Sequence, residues 1–69
     1  GQAARAELER SARMMVALGV QHALGGRHEA AQADFVRALQ RAQEERDAQA
    51  VAAAEGNLGV VAAAQGRLD

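Results

Sequence analysis

The sequence predicts an all-α fold, an antiparallel helical hairpin followed by a third helix, and three observations carry that prediction. Alanine is the commonest residue and proline is absent. Alanine loses no side-chain entropy on entering a helix, whereas proline would break one. Strand formers are sparse, and no apolar–polar alternation persists over a strand's length. The middle of the chain carries Ala31, Phe35, Ala38, Leu39 and Ala42 at i, i+4, i+7, i+8 and i+11, a single apolar face at the helical period.

The breaks between helices are few. Gly25-Gly26 follows an apolar-periodic stretch and reads as a helix end with a tight turn, closing a first helix over residues 2–24. Its inward face is expected to hold Leu8, Met15, Leu18 and His22. The second helix, residues 28–46, carries the stripe through Phe35 and ends in the charged run Glu44-Glu45-Arg46-Asp47. Asp47 can cap the third helix, residues 48–65, which stops at Gln65-Gly66. Short connections favour antiparallel neighbours.

Bulk composition limits what the chain does. With 8 basic against 9 acidic residues there is no electrostatic case for nucleic acid or an anionic membrane surface. No apolar run approaches the roughly 20 residues that span a bilayer. Cysteine is absent, so there is no disulfide framework and no thiolate metal site. The chain opens on no charged-then-apolar signal segment, and the expected location is cytoplasmic.

Catalytic and metal-binding constellations are also missing. His22 and His28 are the only histidines, six apart across the Gly-Gly turn, where one helix would place ligands three or four apart. His22 reads as a packing residue and His28 as an edge residue. Ser11 is the only serine and reads as a solvated helix residue or a local cap, with no Ser-His-Asp set around it. Glu44 and Glu45 are successive on a helix, diverge by about 100°, and read as a solvated charge run. Gly25-Gly26-Arg27 lacks the strand, the spacing and the lysine of a phosphate loop. The chain is not expected to be an enzyme or to carry a metal or cofactor. Met14 and Met15 offer either a soft binding surface or, for Met15, a core contact. Arg5, Arg10 and Arg13 offer either a basic stripe for an acidic peptide or, as such arginines more often do, exposed residues pairing with acidic neighbours such as Glu9.

The chain repeats itself. At an offset of 40, Ala12, Leu18, Gly19, Val20, Ala23, Gly26 and Arg27 match Ala52, Leu58, Gly59, Val60, Ala63, Gly66 and Arg67, while Glu7 and Glu29 match Asp47 and Asp69 in charge. A period in the range of roughly 20–50 residues is the signature of a solenoid. The pattern Met15-x2-Leu18-Gly19-x2-His22, then Ala31-x3-Phe35, then Ala38-Leu39, resembles the tetratricopeptide repeat (TPR) family. Methionine and histidine stand where that family has aromatics, the closing proline is missing, and the spacing is near 40 rather than the common 34 or so. It looks like the longer-helix subtype of G-protein-modulator scaffolds and kinesin light chains.

The resemblance has several implications. Gly19 would face a small residue of the second helix, Ala31, and the equivalent partner of Gly59 would fall near position 71. The 69 residues hold one full repeat and the first helix of a second, a single unit expected to belong to a longer array or to complete itself through another copy. The function implied is a protein-interaction scaffold that takes a peptide or helix in an apolar concave groove. Carried over by alignment, that groove comprises Arg13, Val16, Val20, Ala23 and Leu24, with Ala53, Gly56, Asn57, Val60 and Ala64 from the third helix. Asn57 would hold a ligand's backbone and Arg13 would orient it. Val16 and Val20 occupy the sites where chaperone-binding relatives place the lysine and asparagine of a carboxylate clamp, so an apolar ligand is expected instead. A rival expectation is self-assembly, in which a second chain covers Leu58, Val60 and Val61 to give a homodimer or an exchanged hairpin. Another is ligand sensing within a bacterial regulator, using the same groove.

Overall fold

A computed structural model describes residues 11–66. Three helices follow one another: α1 (Ala12–Leu24), α2 (His28–Glu45) and α3 (Ala48–Ala64). The second and third match the expected spans to within a residue. The first does not run through from residue 2. Ser11 is extended, with φ −70° and ψ 154°, and its hydroxyl accepts from the Met14 amide at 3.2 Å. Ser11 is therefore the N-cap of α1, and the Leu8 expected on its buried face lies outside the described residues.

Each connection is two or three residues long. After α1, Gly26 adopts φ 79°, which costs a residue without Cβ little, and the Arg27 amide reaches back to the His22 carbonyl at 2.8 Å. After α2, Arg46 takes the same left-handed conformation, φ 56°, although it is not glycine. The Asp47 amide then bonds the Ala42 carbonyl at 2.9 Å. Such closures satisfy helix-end carbonyls that would otherwise lack partners.

α2 lies between the other two helices and packs on both, and α1 and α3 touch each other less. The stripe read from the sequence is the core: Ala31, Phe35, Ala38 and Ala42 are each 0% exposed, and Leu39 is half-buried at the edge. Two clusters form around it. Ala12, Ala42 and Ala50 pack at one end with Val51 against them. Ala31, Phe35 and Val61 pack at the other, with Val16, Val20, Ala23 and Leu58 leaning on them.

Three packing expectations need correction. The inward face of α1 runs through Ala12 and Gly19, and Leu18 is exposed. The cause is the partner of Gly19, which is the ring of Phe35 and not Ala31. A Cβ at Gly19 would sit 2.5 Å from Phe35 Cε1, so the ring fits only because glycine has none. That ring draws the glycine side of α1 inward and turns Leu18 outward. Lastly, Val61 is 2% exposed and Leu58 leans on the same cluster. Both were expected to form a self-association surface. Val61 is instead part of the chain's own core and Leu58 is half-buried against it, because α3 presents that side to α2.

Candidate functional site: the groove between α1 and α3

Because α1 and α3 touch only lightly, a shallow groove of about 240 Å³ opens between them, lined by Arg13, Val16, Gln49, Ala50 and Ala53. Ala50 and Val16 form its apolar floor, with Ala50 buried and Val16 half-buried. Arg13 and Gln49 form a polar rim, and Ala53 is an exposed wall with no bulk to obstruct a ligand.

The rim is ordered by one carboxylate. Asp47 accepts from the Ala50 amide at 3.1 Å, which caps α3 as expected from the sequence. Its other oxygen accepts from Arg13 Nε at 2.9 Å, across the groove from α1. Arg13 also reaches Gln49 Oε1 at 3.5 Å. The guanidinium, followed by the Ala50 amide, holds the Asp47 carboxyl below the usual carboxylate range, and Asp47 in turn raises Arg13. Arg13 therefore pairs with Asp47 across helices, and the Glu9 expected beside it lies outside the described residues.

Of the ten residues expected in a concave face, Arg13, Val16 and Ala53 line the groove. Val20 and Ala23 are half-buried against the Phe35 cluster, so much of their surface belongs to the core. Leu24 is 83% exposed at the end of α1, and Val60 is 64% exposed on α3. Gly56 and Ala64 are also exposed. Asn57 donates from Nδ2 to the Ala53 carbonyl of its own helix at 2.8 Å, so that donor is already engaged. Gln49 and Ala50 were not singled out from the sequence. The sequence carried no signal for them, because the side to which the Asp47 cap turns is set by Arg13, 34 residues away.

A second polar cluster lies on the opposite edge of α1. Asp34 is 6% exposed, and its carboxylate accepts from His22 Nδ1 and from Arg37, each at 2.5 Å. His22 is thus a hydrogen-bonding tie between α1 and α2 rather than a plain packing residue. Asp34 went unnoticed in the sequence because it is charged. Yet it lies three residues after Ala31 and four before Ala38, on the buried stripe, where a carboxylate requires partners. Glu45 likewise exceeds the role of a solvated charge. It accepts from the Ala12 amide at 3.3 Å, capping α1 from the far end of α2, and pairs with Arg41 at 3.2 Å.

Among the described residues no group of three histidine or acidic side chains could hold a metal ion, and no helix is long and apolar enough to cross a membrane. No family model, no curated protein and no solved structure matches this chain. The class defined so far is therefore an all-helical protein with packed helices and a solvent-facing groove between α1 and α3.

Proposed function

We propose that the chain is a protein-interaction module of TPR type, and that the α1–α3 groove takes a partner helix or an extended apolar peptide. The observation that supports this most is the makeup of the groove: an apolar floor of Val16 and Ala50, an unobstructed wall at Ala53, and a fixed polar rim at Arg13 and Gln49. Such a groove binds by shape and apolar burial, with a few placed polar groups setting direction. The Arg13–Asp47 pair supplies that direction. Asp47 fixes the guanidinium, and an arginine held in this way can donate to a ligand's carbonyl or carboxylate.

The partner class is protein or peptide. The near-neutral charge balance offers nothing to a polyanion. Panning a displayed helical-peptide library against the chain tests the reading. Selected peptides should lose binding to Ala53→Leu, which fills the groove from an exposed position, and should weaken against Arg13→Ala, with helicity unchanged in both. Peptides that bind Ala53→Leu as well as the parent would sink the groove as the site. Val20→Glu is a poor probe, because Val20 leans on the Phe35 cluster and its loss would unfold the chain.

A further inference from the structure

The groove between α1 and α3 is charged at one end only. Arg13 and Gln49 belong to the first turns of their helices, and Val16 and Ala53 continue the groove from there without a charge. Both helices advance away from that end. The start of α1 meets the end of α2, Ala12 against Glu45, and Gly19 meets Phe35 further back along α2. Likewise Ala50 packs at Ala42, whereas Val61 packs at Ala31 and Phe35. α1 and α3 are thus each antiparallel to α2 and parallel to each other, so the groove has a direction.

The ion pair at the charged end is lopsided. The Arg13 side chain is 69% exposed and that of Asp47 is 19% exposed, so the pair turns its cation outward and its anion inward. The Asp47 oxygens are engaged by the Ala50 amide and Arg13, and those of Glu45 by the Ala12 amide and Arg41. Arg13 is the one charged residue among those lining the groove. A guanidinium carries more donors than the two that Asp47 and Gln49 engage. The chemistry complementary to such a rim is a set of acceptors with negative charge. On a helix those lie at the C-terminus, where the last carbonyls lack intrahelical partners and the macrodipole is negative. A helix N-terminus would instead set donors against donors. We infer that the groove takes its partner helix in one direction, antiparallel to α1 and α3, with the partner's C-terminal turn against Arg13.

The inference rests on the groove being the site, as proposed above, and adds which end of the partner it reads. Arg13 is the positioning residue, and the apolar floor of Val16 and Ala50 is indifferent to direction. An acidic residue in the partner's last turn therefore favours binding, and a basic one there opposes it.

The probes are helical peptides recovered by the panning described above, synthesised with both ends blocked and titrated with the full 69-residue chain. The chain contains no cysteine, so a nitroxide can be placed at Ala48→Cys or Ala64→Cys, exposed positions at the two ends of α3 about 24 Å apart. The label at residue 48 should broaden the amide signals of the peptide's last turn, and the label at residue 64 those of its first. Glutamate in the last turn should bind about two- to fivefold more tightly than lysine at the same position, although lysine favours the peptide's own helix. That contrast should vanish against Arg13→Ala. Broadening with the opposite polarity, or equal at both peptide ends, overturns the inference and leaves the groove as the site. A glutamate–lysine contrast that survives Arg13→Ala overturns it as well. Recovery of no peptide, or of peptides indifferent to Ala53→Leu, overturns the groove and the inference together.

Discussion

Replacing Gly19 and Gly59 by alanine, one at a time, should move stability in opposite directions. The two positions share sequence context and helix-interior location, so the intrinsic gain from alanine is the same at both, about 1 kcal/mol. At Gly59 nothing among the described residues opposes it. At Gly19 the new Cβ would lie 2.5 Å from Phe35 Cε1 and 2.8 Å from Cδ1 and Cζ. Carbon atoms prefer separations of about 3.5–4.0 Å, so the methyl intrudes by about 1 Å. The ring is fully buried and cannot swing into solvent. Overpacking of this kind costs about 1–3 kcal/mol, and three ring atoms in the clash favour the upper end. Gly19→Ala should therefore lose about 1–2 kcal/mol net, while Gly59→Ala gains about 1 kcal/mol. In a domain of this size 1 kcal/mol moves Tm by about 4–8 °C, so the two midpoints should separate by roughly 10–20 °C. Thermal melts followed by far-ultraviolet circular dichroism measure it. If Gly19→Ala melts as high as Gly59→Ala, the Phe35 ring does not seat on Gly19.

Phe35→Ala empties the larger core cluster and should cost about 3–5 kcal/mol, enough to leave most of a chain this small unfolded at 25 °C, read from its urea titration. His22→Ala removes one of two partners from the buried Asp34 carboxylate and should cost about 1–2 kcal/mol. Arg37→Ala should cost less than about 1 kcal/mol, because Arg37 is mostly exposed; equal losses in the two melts would contradict the assigned roles. Asp47 has a folded pKa below its unfolded value, so its stabilisation is present above the unfolded pKa of about 3.9 and is lost as pH falls through the folded value. The Tm advantage of the parent over Asp47→Asn should accordingly be flat near neutrality and shrink below about pH 4. A constant difference through that range would refute the pairing with Arg13.

The hairpin-plus-helix order and the stripe through Phe35 were legible because burial on one side of a helix writes itself as a period. The face of α1 was harder to read. Leu18 and Gly19 are neighbours, and hydrophobicity alone favours leucine inward, whereas ring-on-backbone packing puts the glycine there. Asp34 and Glu45 were hidden for a related reason. Their placement depends on partners 12 and 33 residues away, His22 and the Ala12 amide, which a local pattern does not reveal. Within the groove, Arg13, Val16 and Ala53 were legible through the resemblance. Val20 and Ala23 were not, because an alignment gives a residue's side of the helix and not how far its neighbours cover it.

Asp47 joins two events that could have been separate. The same carboxylate closes the first turn of α3 through the Ala50 amide and ties Arg13 of α1 through its second oxygen. Fraying at the start of α3 therefore loosens the rim of the groove, and spreading the groove weakens the cap. The Ala50 amide hydrogen becomes a local reporter: its exchange with solvent should slow when anything seated between α1 and α3 holds Arg13 and Asp47 together, and quicken when a competing anion draws Arg13 away.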